Sequence, residues 1–287
     1  MLFRDLVTAN LYNYNDILTI VTVDAGNSFI TKYFLESLIK NGINARVLIV
    51  LCKENSYIKE LEKYKQYLNI EFLENYDYQL LPNRFQDWEP STRHSNMIKY
   101  VFSHDIIKTK YCIICDNDIV VKNNFSKLLN DFINQEKIIA GSIFYTDHAN
   151  SYNLNTQLLK YKCLENPKID TLLFTNPLNI KFNKTNFILN DRFIIYYRLE
   201  PQLILMNYEN IRKIPNYLNY FTTIKWGTKL GNYYVTYDTF AKFTKMLLDK
   251  DIPIYKIPNI YDYIKHFSGA SFDKELCESD YKQIMKV

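Results

Sequence analysis

The sequence predicts an α/β protein in which an open, mostly parallel sheet is flanked by helices in a single continuous domain. Three observations lead there. Short β-branched apolar runs alternate with segments whose apolar residues recur at helical spacing. Their order over the first 73 residues is β-α-β-α-β, which right-handed crossovers turn into a parallel sheet with helices on its faces. Of the 287 residues, 47% are hydrophobic, enough for a large core and too many for a disordered chain.

The first strand is read over 17–23, an Ile-Leu-Thr-Ile-Val-Thr-Val run suited to burial on both faces. Residues 24–28 turn the chain, with Ser28 as N-cap. Phe29, Tyr33, Phe34, Leu38 and Ile39 then mark a helix that ends at Asn41-Gly42. A second buried strand covers 45–51, a charged amphipathic helix 56–68 and a short strand 70–73. Residues 76–92 are polar and aromatic without periodicity. A helix over 91–107 follows, with Met97, Ile98, Val101, Phe102 and Ile106 apolar. The fourth strand, 111–115, runs straight into Asp116-Asn117-Asp118. After it come an apolar stretch at 119–121, a helix near 125–133 and a strand near 138–144. Residues 147–190 read as a long excursion with local helix. Strand material over 192–206 is broken by Pro201, and Asp238 opens a helix with Phe240, Phe243, Met246 and Leu247 on one face. A last strand is read at 254–257. No internal repeat or low-complexity linker is present.

Charge and cysteine usage narrow the class. With 35 basic and 31 acidic residues the net charge is +4, and no long Lys/Arg block occurs, so dedicated nucleic-acid binding is not expected. A mildly basic surface still leaves room for an anionic substrate or peripheral contact with an acidic membrane. Five scattered cysteines suit a reducing compartment. The opening Met1-Leu2-Phe3-Arg4-Asp5-Leu6 does not read as a signal peptide, and no apolar run approaches a membrane span. A cytoplasmic protein is the expectation.

The chemistry concentrates at Asp116-Asn117-Asp118. In extended chain, residues i and i+2 point to one side, so two carboxylates can converge on a cation. Ligands bind at the carboxyl ends of parallel strands, and this pair ends an apolar one. Carboxylates favour hard cations such as Mn²⁺ or Mg²⁺. A bare D-x-D arises by chance, and Asp249-Lys250-Asp251 is a second copy in this chain. That copy ends an amphipathic helix, where acids are simply solvated. Cys112 and Cys115 stand at i and i+3 of the same strand. They face opposite sides, which argues against redox or zinc chemistry.

With these pieces placed, residues 15–145 resemble the GT-A-fold glycosyltransferases. The resemblance runs from the first strand and helix, through the second strand and the helix carrying Arg93 and Asn96, to the D-x-D and Ile119-Val120-Val121. It implies that 1–145 is a nucleotide-sugar-binding half and 146–287 an acceptor-binding and catalytic half. Asp116 and Asp118 would hold a divalent cation against the donor diphosphate, and Asp116 and Asn117 would contact the nucleotide. Val23-Asp24 and Lys53-Glu54 would flank the base. A second match, closest to inverting family 2-like enzymes, covers Tyr237-Asp238, the helix to 248, Lys256-Ile257-Pro258 and His266-Phe267-Ser268-Gly269-Ala270-Ser271. It implies Asp238 as catalytic base and His266 as a metal or diphosphate ligand. This chain departs from that pattern at Tyr237, where an acid is usual. His266-Phe267-Ser268-Gly269 also resembles the H-x-x-G of retaining family 8 enzymes, without the Lys-Pro-Trp that follows there.

The same residues can be read from reaction chemistry. Glycosyl transfer passes through a cationic sugar carbon, its diphosphate leaving group needs neutralising charge, and an acceptor hydroxyl needs a base. A strand-end carboxylate pair, one further acid and one neutral imidazole meet those needs. The plain alternatives are that Asp238 is only an N-cap, His266 a buried core histidine, Arg93 a surface ion-pair partner rather than a diphosphate contact, and Trp226 a packing residue rather than a wall of an acceptor pocket. The acceptor is left open among glycan, lipid-linked and protein hydroxyls. Three classes stay in view: a metal-dependent glycosyltransferase, a nucleotidyltransferase lacking its usual glycine-rich loop, and a non-catalytic nucleotide-sugar-binding protein.

Overall fold

A computed structural model describes residues 12–24, 28–51, 58–74, 89–145, 180–181, 186–189, 192–195, 197–221, 228–230, 233–235, 240, 243–244, 246–247, 250–257, 259–267 and 274–285. Its centre is an eight-stranded sheet. Five strands come from the first half of the chain or its edge: β1 (Leu18–Asp24), β2 (Arg46–Leu51), β3 (Asn69–Glu74), β4 (Tyr111–Asp116) and, after a separate short strand β5 (Ile119–Val121), β6 (Ile139–Tyr145). The second half supplies β7 (Ile180–Lys181), β8 (Tyr197–Asn207) and β9 (Ile254–Lys256). The spatial order is β3-β2-β1-β4-β8-β6-β9-β7. Strands β3, β2, β1 and β4 pair in parallel, β8 runs against both β4 and β6, and β9 is again parallel to β6. Thus the sheet is mostly parallel, as the alternating pattern requires.

All seven residues of β1 are buried, as are five of the six in β2 and in β4, which is why these strands read as unbroken apolar runs. Two cores lie on opposite faces of the sheet. Ile20, Val47, Ile49, Ile113 and Cys115 pack with helix α1 (Ser28–Lys40) on one side. Val21, Leu48, Val50, Cys112 and Ile114 pack on the other with helix α2 (Glu89–Ser103) and with Phe240, Phe243, Met246 and Leu247. The period of two also separates Cys112 from Cys115 as expected: both are free and fully buried, and burial pushes both thiols far towards the protonated form.

Three elements differ from the sequence reading, each for a local reason. The 56–68 helix is, among the described residues, one α-helical stretch (Ile58–Glu62) continued as a 3-10 helix (Lys63–Gln66). Its inward residues, Leu61 and Tyr64, stand three apart, the repeat of the tighter helix. Helix α2 stops at Ser103 rather than 107, because Asp105 takes a left-handed conformation with φ 51°. Strand β8 runs straight past Pro201. Its register against β6 shifts between Leu199, paired with Ile143, and Ile204, paired with Gly141, so the proline sits in a bulge where no ladder bond is asked of it. Gly42, with φ 65°, ends α1 as its position predicts.

Strand β5 lies outside the main sheet and pairs antiparallel with β10 (Ile264–His266). Helix α1 serves its other edge. The Val121 amide donates to Ser37 Oγ at 3.0 Å, and Asn41 Nδ2 donates to the Val121 carbonyl at 3.0 Å. Helix α3 (Phe125–Asn134) follows, and helix α4 (Lys274–Met285) packs Cys277 and Tyr281 against Tyr33 and Phe267.

Candidate metal centre

The parallel register sets Asp116 beside Val23 at the carboxyl edge of the sheet. Asn117 and Asp118 form a turn, and β5 leaves it to pair with β10, in which His266 faces Ile119. The Phe267 amide closes this end by donating to the Asp118 carbonyl at 2.9 Å. His266 therefore arrives from 148 residues further along the chain opposite the D-x-D. Its Nε2 lies 3.1 Å from Asp118 Oδ1 and 3.8 Å from Asp116 Oδ2. One ligand atom from each of the three residues falls within 4.8 Å of the others. The convergence comes from the turn at 117–118, whereas the sequence argument ascribed it to two alternating positions of one extended strand.

These groups are poorly hydrated: the side chains of Asp116, Asp118 and His266 are 26, 16 and 16% exposed. Burial first, then the Asp118 charge, pushes the Asp116 carboxyl up to about 7; Glu200 adds to the rise and His266 opposes it. Burial draws the His266 imidazolium down. Its hydrogen bond to Asp118 and the charges of Asp118, Asp116 and Glu200 outweigh that and hold it above its ordinary value. Two carboxylates thus share a confined space with one imidazole, and positive charge is what they lack. A divalent cation with oxygen and nitrogen ligands fits this donor set.

Glu200 was not singled out from sequence. It lies in the β8 bulge just before Pro201, partly buried, with Ser142 Oγ donating to its Oε2 at 3.3 Å. Its charge reaches both Asp116 and His266. The available signal was a lone carboxylate inside an apolar strand. Thr31 was also passed over. This buried α1 residue donates from Oγ1 to Asp24 Oδ2 at 2.8 Å and accepts from Asn117 Nδ2 at 3.0 Å.

Of the other expected residues, Val23 and Asp24 end β1, and Asp24 is fully buried with its carboxylate on Thr31. Arg93 lies in α2. Glu54, Asp238 and Trp226 lie outside the described residues. His104 is exposed on the surface. His94, on α2, packs its ring against Phe240 with centroids 5.9 Å apart, and burial lowers its pKa to about 4. In the second D-x-D, Lys250 and Asp251 are exposed, as a solvated helix end predicts.

The mostly parallel central sheet flanked by helices has a GT-A-like architecture. No protein-family model matches the chain, and no curated protein does either. Among solved structures it is similar to core-mannan synthase A from Aspergillus fumigatus in its Mn/GDP form. That similarity has a TM-score of 0.52 at 9% identity and covers 91% of this chain and 77% of that one. Mouse xyloside xylosyltransferase 1 matches at a TM-score of 0.44 and 13% identity, over 84% of each chain. A mannosyltransferase from Pyrobaculum calidifontis, in complex with GDP-Man and Mn²⁺, matches at 0.42 and 8%, covering 88% of this chain and 61% of that one. Of these three, the first, with its TM-score of 0.52, shares the fold. That fold meets the expectation of a GT-A-like, mostly parallel sheet flanked by helices.

Proposed function

We propose that this protein is a metal-dependent glycosyltransferase that moves a sugar from a nucleoside-diphosphate donor to an acceptor hydroxyl. The observation that carries the reading is the convergence of Asp116, Asp118 and His266 within 4.8 Å at the carboxyl end of a central parallel strand. Those three would hold the cation. The imidazole favours Mn²⁺ over Mg²⁺, which prefers an all-oxygen shell. Mn²⁺ bound there would supply positive charge to the departing diphosphate. The protein's own residues do the rest. The turn keeps both carboxylates aimed at one point, and His266 arrives on a separate ribbon, so the site is assembled from both halves of the chain. Asn117 offers an amide beside the carboxylates for the nucleotide, and Arg93 would add positive charge from α2. Val23, Asp24 and Glu54 would border the base. The acceptor is a glycan, lipid-linked or protein hydroxyl.

Asp238 is our candidate for the base of an inverting transfer; it stands two residues before Phe240, which with Phe243 is buried in the core. Glu200 supports a second reading. It is a carboxylate already held beside the triad by Ser142, and a retaining transfer uses a carboxylate to stabilise the positive sugar carbon.

The test is nucleoside-diphosphate release from a panel of UDP- and GDP-sugars with Mn²⁺, against EDTA and Asp118→Ala. We expect release that requires the metal and falls at least 100-fold in Asp118→Ala, since that residue is one of three proposed ligands. Loss in Asp238→Asn with an inverted product anomer supports that base; loss in Glu200→Gln with a retained anomer supports the second reading. Metal-dependent donor binding without release would point to a non-catalytic binder. Neither binding nor release with any nucleotide sugar would overturn the assignment.

A further inference from the structure

We propose that Thr31 is a positioning residue for the cation site and locks the Asp116–Asp118 turn through the side chain of Asn117. The inference rests on the metal-centre reading above and adds a residue from outside the D-x-D. Thr31 lies in the first turn of α1 and is fully buried. Its Oγ1 is 2.8 Å from Asp24 Oδ2 and 3.0 Å from Asn117 Nδ2.

Proton counting fixes the direction of this chain of hydrogen bonds. Thr31 has a single hydroxyl proton, and it goes to Asp24 Oδ2. With that proton committed, the hydroxyl oxygen can only accept, so the Asn117 amide turns its nitrogen to Thr31 and its carbonyl oxygen away. The buried Asp24 carboxylate therefore sets, through one hydroxyl, the orientation of the residue between the two proposed metal ligands. A turn carrying two carboxylates has reason to be held. The ligand atoms of Asp116 and Asp118 lie within 4.8 Å of one another, and the repulsion of two like charges at that distance pushes the carboxylates apart until a cation is bound. On its far side the turn is held by the Phe267 amide on the Asp118 carbonyl, and on its near side by Thr31. A site arranged before its ligand arrives spends less of the binding energy on ordering.

The experiment compares Thr31→Val, which keeps the shape and removes the hydroxyl, with Thr31→Ser, which keeps the hydroxyl. Mn²⁺ affinity is read by electron paramagnetic resonance of the free ion, with the metal alone and with GDP or UDP, and Tm is read alongside. Thr19→Val is the structural control. It removes another buried hydroxyl, bonded to Thr109 at 2.7 Å, at the opposite end of the same strand and about 17 Å from Asp24. We expect Thr31→Val to weaken Mn²⁺ binding roughly tenfold, Thr31→Ser to stay within about twofold of the unaltered protein, and Thr19→Val to lower Tm without moving the affinity. An unchanged affinity in Thr31→Val, an equal loss in Thr19→Val, or no recovery in Thr31→Ser overturns the inference and leaves the metal site standing. An unaltered protein that takes up no Mn²⁺ under any of these conditions overturns the metal reading itself, and this inference with it.

Discussion

At the scale of single residues, burial decides chemistry. His94 Nε2 is enclosed and makes no hydrogen bond, and desolvation is the cause of its lowered pKa of about 4. An unfolded chain takes up this proton near the ordinary histidine value, so the folded state holds its advantage above about pH 6.5 and loses it as pH falls towards 4. The difference is worth roughly 3 kcal/mol. We expect His94→Leu to flatten the acid limb of stability between pH 6.5 and 4, checked by urea unfolding at several pH values. An unaltered acid limb would mean that His94 is hydrated in the native state. Residue identity also explains which site members could be read beforehand. Asp116 and Asp118 stood out because carboxylates end an apolar run, and His266 because small residues follow it. Thr31 carried no such mark: a threonine in a helix declares itself only when its partners are known.

At the scale of elements, the β8 bulge links backbone geometry to the site. It accommodates Pro201 and carries Glu200, and across from it Gly141 leaves no room for a side chain. A Cβ there would sit 2.8 Å from Leu199 Cδ2 and 3.0 Å from the Leu203 carbonyl oxygen. The leucine tip could move in a looser place, but Leu199 is fully buried and the carbonyl is backbone. We expect Gly141→Ala to cost about 1–3 kcal/mol in equilibrium unfolding, the usual range for overpacking. Little or no change would show that the bulge can shift. The buried strands of the sheet were legible because burial on both faces leaves an unbroken apolar run. The bulge was not, because proline in a strand pattern reads as a break. Nor was the change from α to 3-10 winding after Glu62, which depends on which of the polar and aromatic residues there turn inward.

At the scale of the whole molecule, the parallel half of the sheet was legible because β1, β2 and β3 pair in chain order, and β4 then returns to the free side of β1. The other half was not. Strand β8 comes from the far half of the chain and inserts between β4 and β6, a long-range pairing that no local pattern announces. The same holds for the ribbon of β5 and β10, which joins residues some 145 positions apart and delivers His266. Helix α1 takes the place of a third strand for that ribbon, through Ser37 and Asn41. A two-stranded ribbon would normally let its amides trade protons with solvent readily. Val121 should behave like a deep core amide instead, with hydrogen–deuterium exchange as slow as that of β1. Ser37→Ala should speed exchange at Val121 at least tenfold and leave β1 unchanged, as read by NMR. If Val121 already exchanges fast in the unaltered protein, the helix is not standing in for a strand. If it is slow, the ribbon that delivers His266 opens through release of α1, and the helix acts as the latch on that edge of the molecule.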